Sequence, residues 1–222
     1  MTPRVRVKIC GLTRIEDVKA AVAHGADAIG FVFWPRSPRV VNVEQARQLA
    51  RSVPHFVSRV GVFVDMPPAD VAVIAADVGL DVIQLHGAER AEDYAGAGRR
   101  IVKSVSLTSD AEIADVAAWP DNVLPIVDSH DDDLRGGTGR VANWARAASL
   151  ARRRPIILAG GLTAANVGGA TQDVGPWAVD VSSGVEERPG IKSHAKLAAF
   201  FDAVRAARIR PESDVERREE HS

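Results

Sequence analysis

Short apolar runs return along this chain at a near-regular interval, and that recurrence constrains its fold more than any other feature. Eight runs read as strands: Val5 to Ile9, Ala28 to Phe33, Val57 to Val64, Val82 to Leu85, Ile101 to Val105, Val123 to Val127, Ile156 to Ala159 and Ala178 to Val181. Most are apolar at successive rather than alternate positions, which suits strands covered on both faces of a parallel sheet. Helical periodicity fills the gaps. Val71, Ile74, Ala75 and Val78 share one face, as do Leu197, Phe200, Phe201 and Val204, and Val43, Ala46, Ala50 and Val53 follow a similar spacing. A further helix carries Val18, Ala21 and Val22 and is expected to start at Thr13 as N-cap, with Glu16 three residues on. Gly25 and Gly79, each between a helical pattern and a strand, fit C-terminal caps.

Eight strand–helix units in 222 residues match the α/β class and a single (β/α)8 TIM barrel. A doubly wound open sheet is the rival, because eight units do not prove closure. Apolar residues make up 46% of the chain, enough for one large core. No interdomain linker is visible. Residues 1–208 read as the barrel domain and 209–222 as a flexible tail, since only Val215 is apolar between Arg210 and Ser222, proline aside.

Charge and cysteine content narrow the function. Lys plus Arg number 28 against 29 Asp plus Glu, so the basic surplus usual in nucleic-acid binders is missing. No apolar run is long enough to span a membrane, and no signal-peptide segment opens the chain, so a cytoplasmic location is expected. Cys10 has no second cysteine to pair with.

In a barrel the chemistry sits where strands end. Strand one ends in Cys10-Gly11 and strand four runs into His86. Strand six ends in Asp128, and strand eight carries Asp180 near its end. The loop after strand two holds Arg36 and Arg39, stiffened by Pro35 and Pro38. Gly160-Gly161 and Ser182-Ser183-Gly184 follow strands seven and eight, where such barrels often hold a phosphate on backbone N–H groups. Asp128 follows an apolar run, and the desolvation expected there suits a general acid. Asp131-Asp132-Asp133 lacks calcium-loop spacing and reads as a solvated acidic loop; Gly136-Gly137-Thr138-Gly139 is no nucleotide P-loop and reads as a lid. His24 and His55 fall away from the rim and read as structural.

Read in order, KICGLT (8–13), GADAIGFVFWPRSPR (25–39), VGVFVD (60–65), QLHG (84–87), VD (127–128), GGTG (136–139), AGGL (159–162), VDVSSGVE (179–186) and PG (189–190) strongly resemble the phosphoribosylanthranilate isomerase family. The resemblance implies a (β/α)8 barrel acting in tryptophan biosynthesis. It implies an Amadori rearrangement of N-(5-phosphoribosyl)anthranilate to 1-(2-carboxyphenylamino)-1-deoxyribulose 5-phosphate. It makes Cys10 the general base and Asp128 the general acid. Arg39 would meet the anthranilate carboxylate, and His86 and Asp180 would line the substrate pocket. Gly160, Gly161, Ser182, Ser183 and Gly184 would hold the phosphate. No metal or organic cofactor is expected. The expected partner is a small-molecule phosphosugar, with no nucleic acid and no membrane, and the chain would be a monomer or homodimer. Ser193-His194 departs from the family, which commonly has an acidic residue there.

Two other readings compete. A bifunctional phosphosugar isomerase that also serves histidine biosynthesis would use two aspartates, whereas strand one here ends in a cysteine. A silent phosphosugar-binding protein would have no need of Cys10 and Asp128 together.

Overall fold

The eight apolar runs close on themselves. The computed structural model describes residues 4–128 and 144–207. Strands β1 (Arg6–Cys10), β2 (Ala28–Val32), β3 (Ser58–Phe63), β4 (Val82–Leu85), β5 (Arg100–Val105), β6 (Val123–Asp128), β7 (Ile157–Ala159) and β8 (Ala178–Val181) form a closed barrel in chain order. β1 pairs in parallel with both β2 and β8, which excludes the open-sheet rival. Helices α1 (Ile15–His24), α2 (Val43–Ala50), α3 (Pro68–Val78), α4 (Asp110–Ala117), α5 (Trp144–Ala151), α6 (Val167–Val174) and α7 (His194–Ala206) alternate with the strands.

Two apolar layers result from strand alternation. Outward residues such as Ile9, Phe31, Phe63, Ile83 and Leu85 join Val18, Val71, Leu197 and Phe200 of the helices in one large core. Inward residues Val102, Ile126, Ile157, Ala159 and Ala178 form a separate cluster inside the barrel. Each fully buried Val, Leu, Ile or Phe side chain contributes about 1.5–3 kcal/mol. The outer layer is therefore what keeps the helices docked and the strand ends in place.

Three local expectations are revised. Thr13 is not the cap of α1: the cap position is Arg14, with no side-chain cap bond. The Thr13 hydroxyl instead donates to the Gly190 carbonyl at 2.6 Å, a tertiary bond that outcompetes the local one. The segment after β4 is not an α-helix but a 3-10 helix, Ala91–Ala97, in which only Tyr94 is buried. Without a 3.6-residue apolar stripe the tighter turn suffices. Val53 lies beyond the end of α2. Gly25 and Gly79 do cap their helices in the left-handed conformation. His24, read as structural, stacks on Phe201 at 5.9 Å.

After β8 comes a 3-10 turn (Ser183–Val185), then a small hairpin of β9 (Glu186–Arg188) and β10 (Ile191–Lys192) before α7. The acidic run Asp131–Asp133, the glycine-rich segment 136–139 and the tail 209–222 lie outside the described residues. Among the described residues no helix is long and apolar enough to cross a membrane.

Candidate active site

Where the strands end, the barrel opens into a cavity of about 590 Å³. Cys10, Arg39, His86, Asp128 and Asp180 line it, and so do Gly160, Gly161, Ser182, Ser183 and Gly184. These residues come from strands or loops far apart in sequence, and barrel closure alone brings them together. Val32, Val62 and Val64 supply an apolar wall, while Gln84, Ser104 and Ser106 add a polar one.

The floor beneath the thiol is charged. Alternation along β1 puts Lys8 on the same inward face as Cys10, and Lys8 pairs in register with Asp180 of β8. Lys8 Nζ donates to both Asp180 carboxylate oxygens at 2.9 Å, and both residues are buried. Burial alone would lower the Lys8 pKa, but the Asp180 carboxylate, helped by the thiol, raises it, so Lys8 stays an ammonium. Burial pushes the Cys10 thiol up. Lys8 and Lys192 pull it back, Asp180 adds to the rise, and the net pKa is raised. The Cys10 sulfur rests over Gly30, its register partner on β2, where a Cβ would sit 3.0 Å from Sγ.

The two turns expected to hold phosphate adjoin each other. A Cβ on Gly184 would stand 1.9 Å from the Leu162 carbonyl oxygen, so only glycine permits this approach. The 3-10 turn starts directly after Ser182. Helix α6 does not start at Gly161, however, but at Val167, after a turn in which Asn166 Oδ1 accepts from Thr163 N at 2.8 Å. The Ser182 hydroxyl donates to the Cys10 carbonyl at 3.1 Å, tying the eighth-strand turn to the first.

Around His86, Glu89 accepts from Gly87 N at 2.8 Å and Lys103 donates to the Gly87 carbonyl at 2.6 Å, which fixes the chain as it leaves β4. The Gln84 amide nitrogen lies 3.5 Å from His86 Nδ1.

Arg39 reaches the cavity from the loop between β2 and α2. Its Nε donates to Glu186 Oε1 at 2.8 Å and its Nη2 to Glu186 Oε2 at 2.6 Å. Lys8, Glu186 and Lys192 were not singled out in the sequence. The signal available for Lys8 was its spacing, two residues before Cys10 and so on the same strand face.

Comparison with known proteins gives this site a lineage. The family model described as N-(5'phosphoribosyl)anthranilate (PRA) isomerase matches residues 7–203. The chain belongs to this family. It is 47% identical over 206 residues to the N-(5'-phosphoribosyl)anthranilate isomerase of Pseudomonas paraeruginosa, covering 92% of this chain and 97% of that one. A phosphoribosyl anthranilate isomerase solved with reduced 1-(o-carboxyphenylamino)-1-deoxyribulose 5-phosphate superposes with a TM-score of 0.79 at 36% identity, over 90% of this chain and 98% of that one. Monomers generated from the dimeric isomerase of Thermotoga maritima superpose with a TM-score of 0.73 at 35% identity, over 91% and 99%.

Proposed function

We propose that the chain performs its family's isomerisation by general acid–base catalysis between Cys10 and Asp128. The reaction is the Amadori rearrangement of N-(5'-phosphoribosyl)anthranilate, a step of tryptophan biosynthesis. The observation that carries the assignment of roles is the shared cavity: a thiol from β1 and a carboxylate from β6 face the same space.

The chemistry asks for two groups of this kind. Asp128 gives a proton to the ribose ring oxygen, the C1–O bond breaks, and the anilino nitrogen's lone pair closes a Schiff base. The Cys10 thiolate then takes the C2 proton, and the electron pair moves into C1=C2 to leave an enolamine. Tautomerisation to the ketone puts a proton on C1 and completes the product. Proton transfers alone account for the sequence, so it needs no metal or organic cofactor. The Lys8 ammonium below the thiol favours the charged base.

Binding holds the two ends so that the middle is aligned. Gly160, Gly161, Ser182, Ser183 and Gly184 take the phosphate through backbone N–H groups, and Arg39 takes the anthranilate carboxylate. His86 contacts the substrate at the rim. Asp180, with both oxygens on Lys8, acts on it from the floor.

We read residues 1–208 as one domain with a tail at 209–222, supported by a family match from 7 to 203. A cytoplasmic location and a monomeric or homodimeric state fit a small-molecule biosynthetic enzyme. Purified protein should convert freshly made phosphoribosylanthranilate to the ketose phosphate, and the gene should rescue a tryptophan auxotroph lacking this isomerase but not the corresponding histidine auxotroph. No conversion and no tryptophan rescue would overturn the assignment.

A further inference from the structure

Arg39 is held by more than its carboxylate partner. Its stem lies on Gly11, where an added Cβ would stand 2.5 Å from Arg39 Cδ, and Gly11 itself is left-handed at φ 72°. Its head is locked side-on by Glu186, through Nε and Nη2. A guanidinium has five N–H donors in one plane. With that side edge engaged, the Nη1/Nη2 end edge remains, and among the described residues Nη1 donates to no oxygen. That edge matches a second carboxylate bidentately.

Glu186 is itself fixed. It is 6% exposed, and β9 and β10 pair it with Lys192, which is 3% exposed. Lys192 Nζ donates to Glu186 Oε1 at 2.8 Å and to the Ser182 carbonyl at 3.1 Å, and Gly190 N donates to Oε1 at 3.2 Å. Two cations on one carboxylate leave the cluster with a net positive charge beside the cavity, which suits an anionic ligand. Burial alone would raise the Glu186 pKa, yet the bonds from Arg39 and Lys192 hold it below the usual range, so it stays charged.

We infer that Glu186 is a positioning residue: it selects the edge of Arg39 that meets the substrate carboxylate, and through Lys192 it ties that edge to the eighth-strand phosphate turn. The inference rests on the proposed reading of Arg39 as the carboxylate's partner and names the group that makes that reading geometrically specific.

The test compares two ligands, reduced 1-(o-carboxyphenylamino)-1-deoxyribulose 5-phosphate and its phenylamino counterpart without the carboxylate. Dissociation constants are measured by calorimetry for the parent, Glu186→Gln, Arg39→Ala and the double variant. Glu186→Gln should weaken the carboxylated ligand about tenfold, the scale of one charge-assisted hydrogen bond. The counterpart should change by less than about twofold on the same reasoning. In the Arg39→Ala background Glu186→Gln should cost the carboxylated ligand nothing further. Glu186→Asp keeps the charge for Lys192 but draws back from Arg39. It should show the same selectivity, and it serves where the glutamine variant folds poorly. Equal losses for both ligands, or an undiminished further loss in the Arg39→Ala background, would overturn the inference while leaving Arg39's role intact. Equal losses for the two ligands in Arg39→Ala alone, leaving the parent's preference for the carboxylate intact, would overturn both.

Discussion

Gly184→Ala places a methyl group where the barrel has no room for it. The new Cβ would lie 1.9 Å from the Leu162 carbonyl oxygen and 3.0 Å from the Leu162 carbonyl carbon. Both atoms are backbone, so no side chain can rotate out of the way. A carbon resting on a carbonyl oxygen needs about 3.3 Å, so the two turns must part by more than about 1 Å. Such overpacking costs about 1–3 kcal/mol. For a chain of this size that is roughly a 2–12 °C fall in melting temperature, at about 2–4 °C per kcal/mol. The same parting spreads the two segments assigned to the phosphate, and a misplacement of about 1 Å can cost on the order of 10²-fold in rate. Steady-state kinetics and a thermal melt measure both effects. Gly168→Ala in α6 is the internal control. Its nearest neighbour would be the Ala203 carbonyl oxygen at 3.9 Å, so a helical glycine there should gain stability by about 0.5–1 kcal/mol without kinetic change. If Gly184→Ala matched the parent in both kcat/KM and melting temperature, the close approach and the phosphate assignment built on it would fail together.

Three further outcomes are expected. Asp128→Asn should lower kcat by on the order of 10² or more, because the amide keeps the shape but delivers no proton; turnover within a few-fold of the parent would assign ring opening to another group. Burial raises the Cys10 pKa, so kcat/KM should climb on the alkaline side as the thiolate forms, and Lys8→Met should push that limb higher still; a limb unmoved by the change would remove Lys8 from the thiol's electrostatics. Glu186 has a lowered folded pKa, so its stabilising contribution is full above its unfolded value of about 4.3 and drains away as pH falls through the folded one. Acid unfolding followed by circular dichroism should therefore show a shallower limb for Glu186→Gln than for the parent.

Much of this architecture could be read from the chain because it is written locally. Apolar runs name their own strands, which span three to six residues in the barrel, and eight repeats of one unit match a barrel's count, while closure itself shows only in the pairing of β1 with β8. The positions of Cys10, Asp128 and the glycine turns followed from strand ends alone. What the sequence hid depends on contacts across the chain. Arg39 and Glu186 stand 147 residues apart, and no local pattern joins them. Lys8 and Asp180 meet only because β1 closes against β8. Thr13 had a sound local reason to cap α1, yet its hydroxyl found Gly190, 177 residues away. The 3-10 helix after β4 was foreshadowed by Gly96 and Gly98 and by the lack of an apolar stripe, a weaker signal than the strands on either side.

The role of the thiol at the end of β1 is tested most directly by the turnover of Cys10→Ala together with its affinity for reduced 1-(o-carboxyphenylamino)-1-deoxyribulose 5-phosphate. Removing a positioned base should cut kcat by on the order of 10² or more, while affinity stays within a few-fold, since the phosphate turns and Arg39 are untouched. A Cys10→Ala protein that turns over phosphoribosylanthranilate at nearly the parent rate would contradict the central claim.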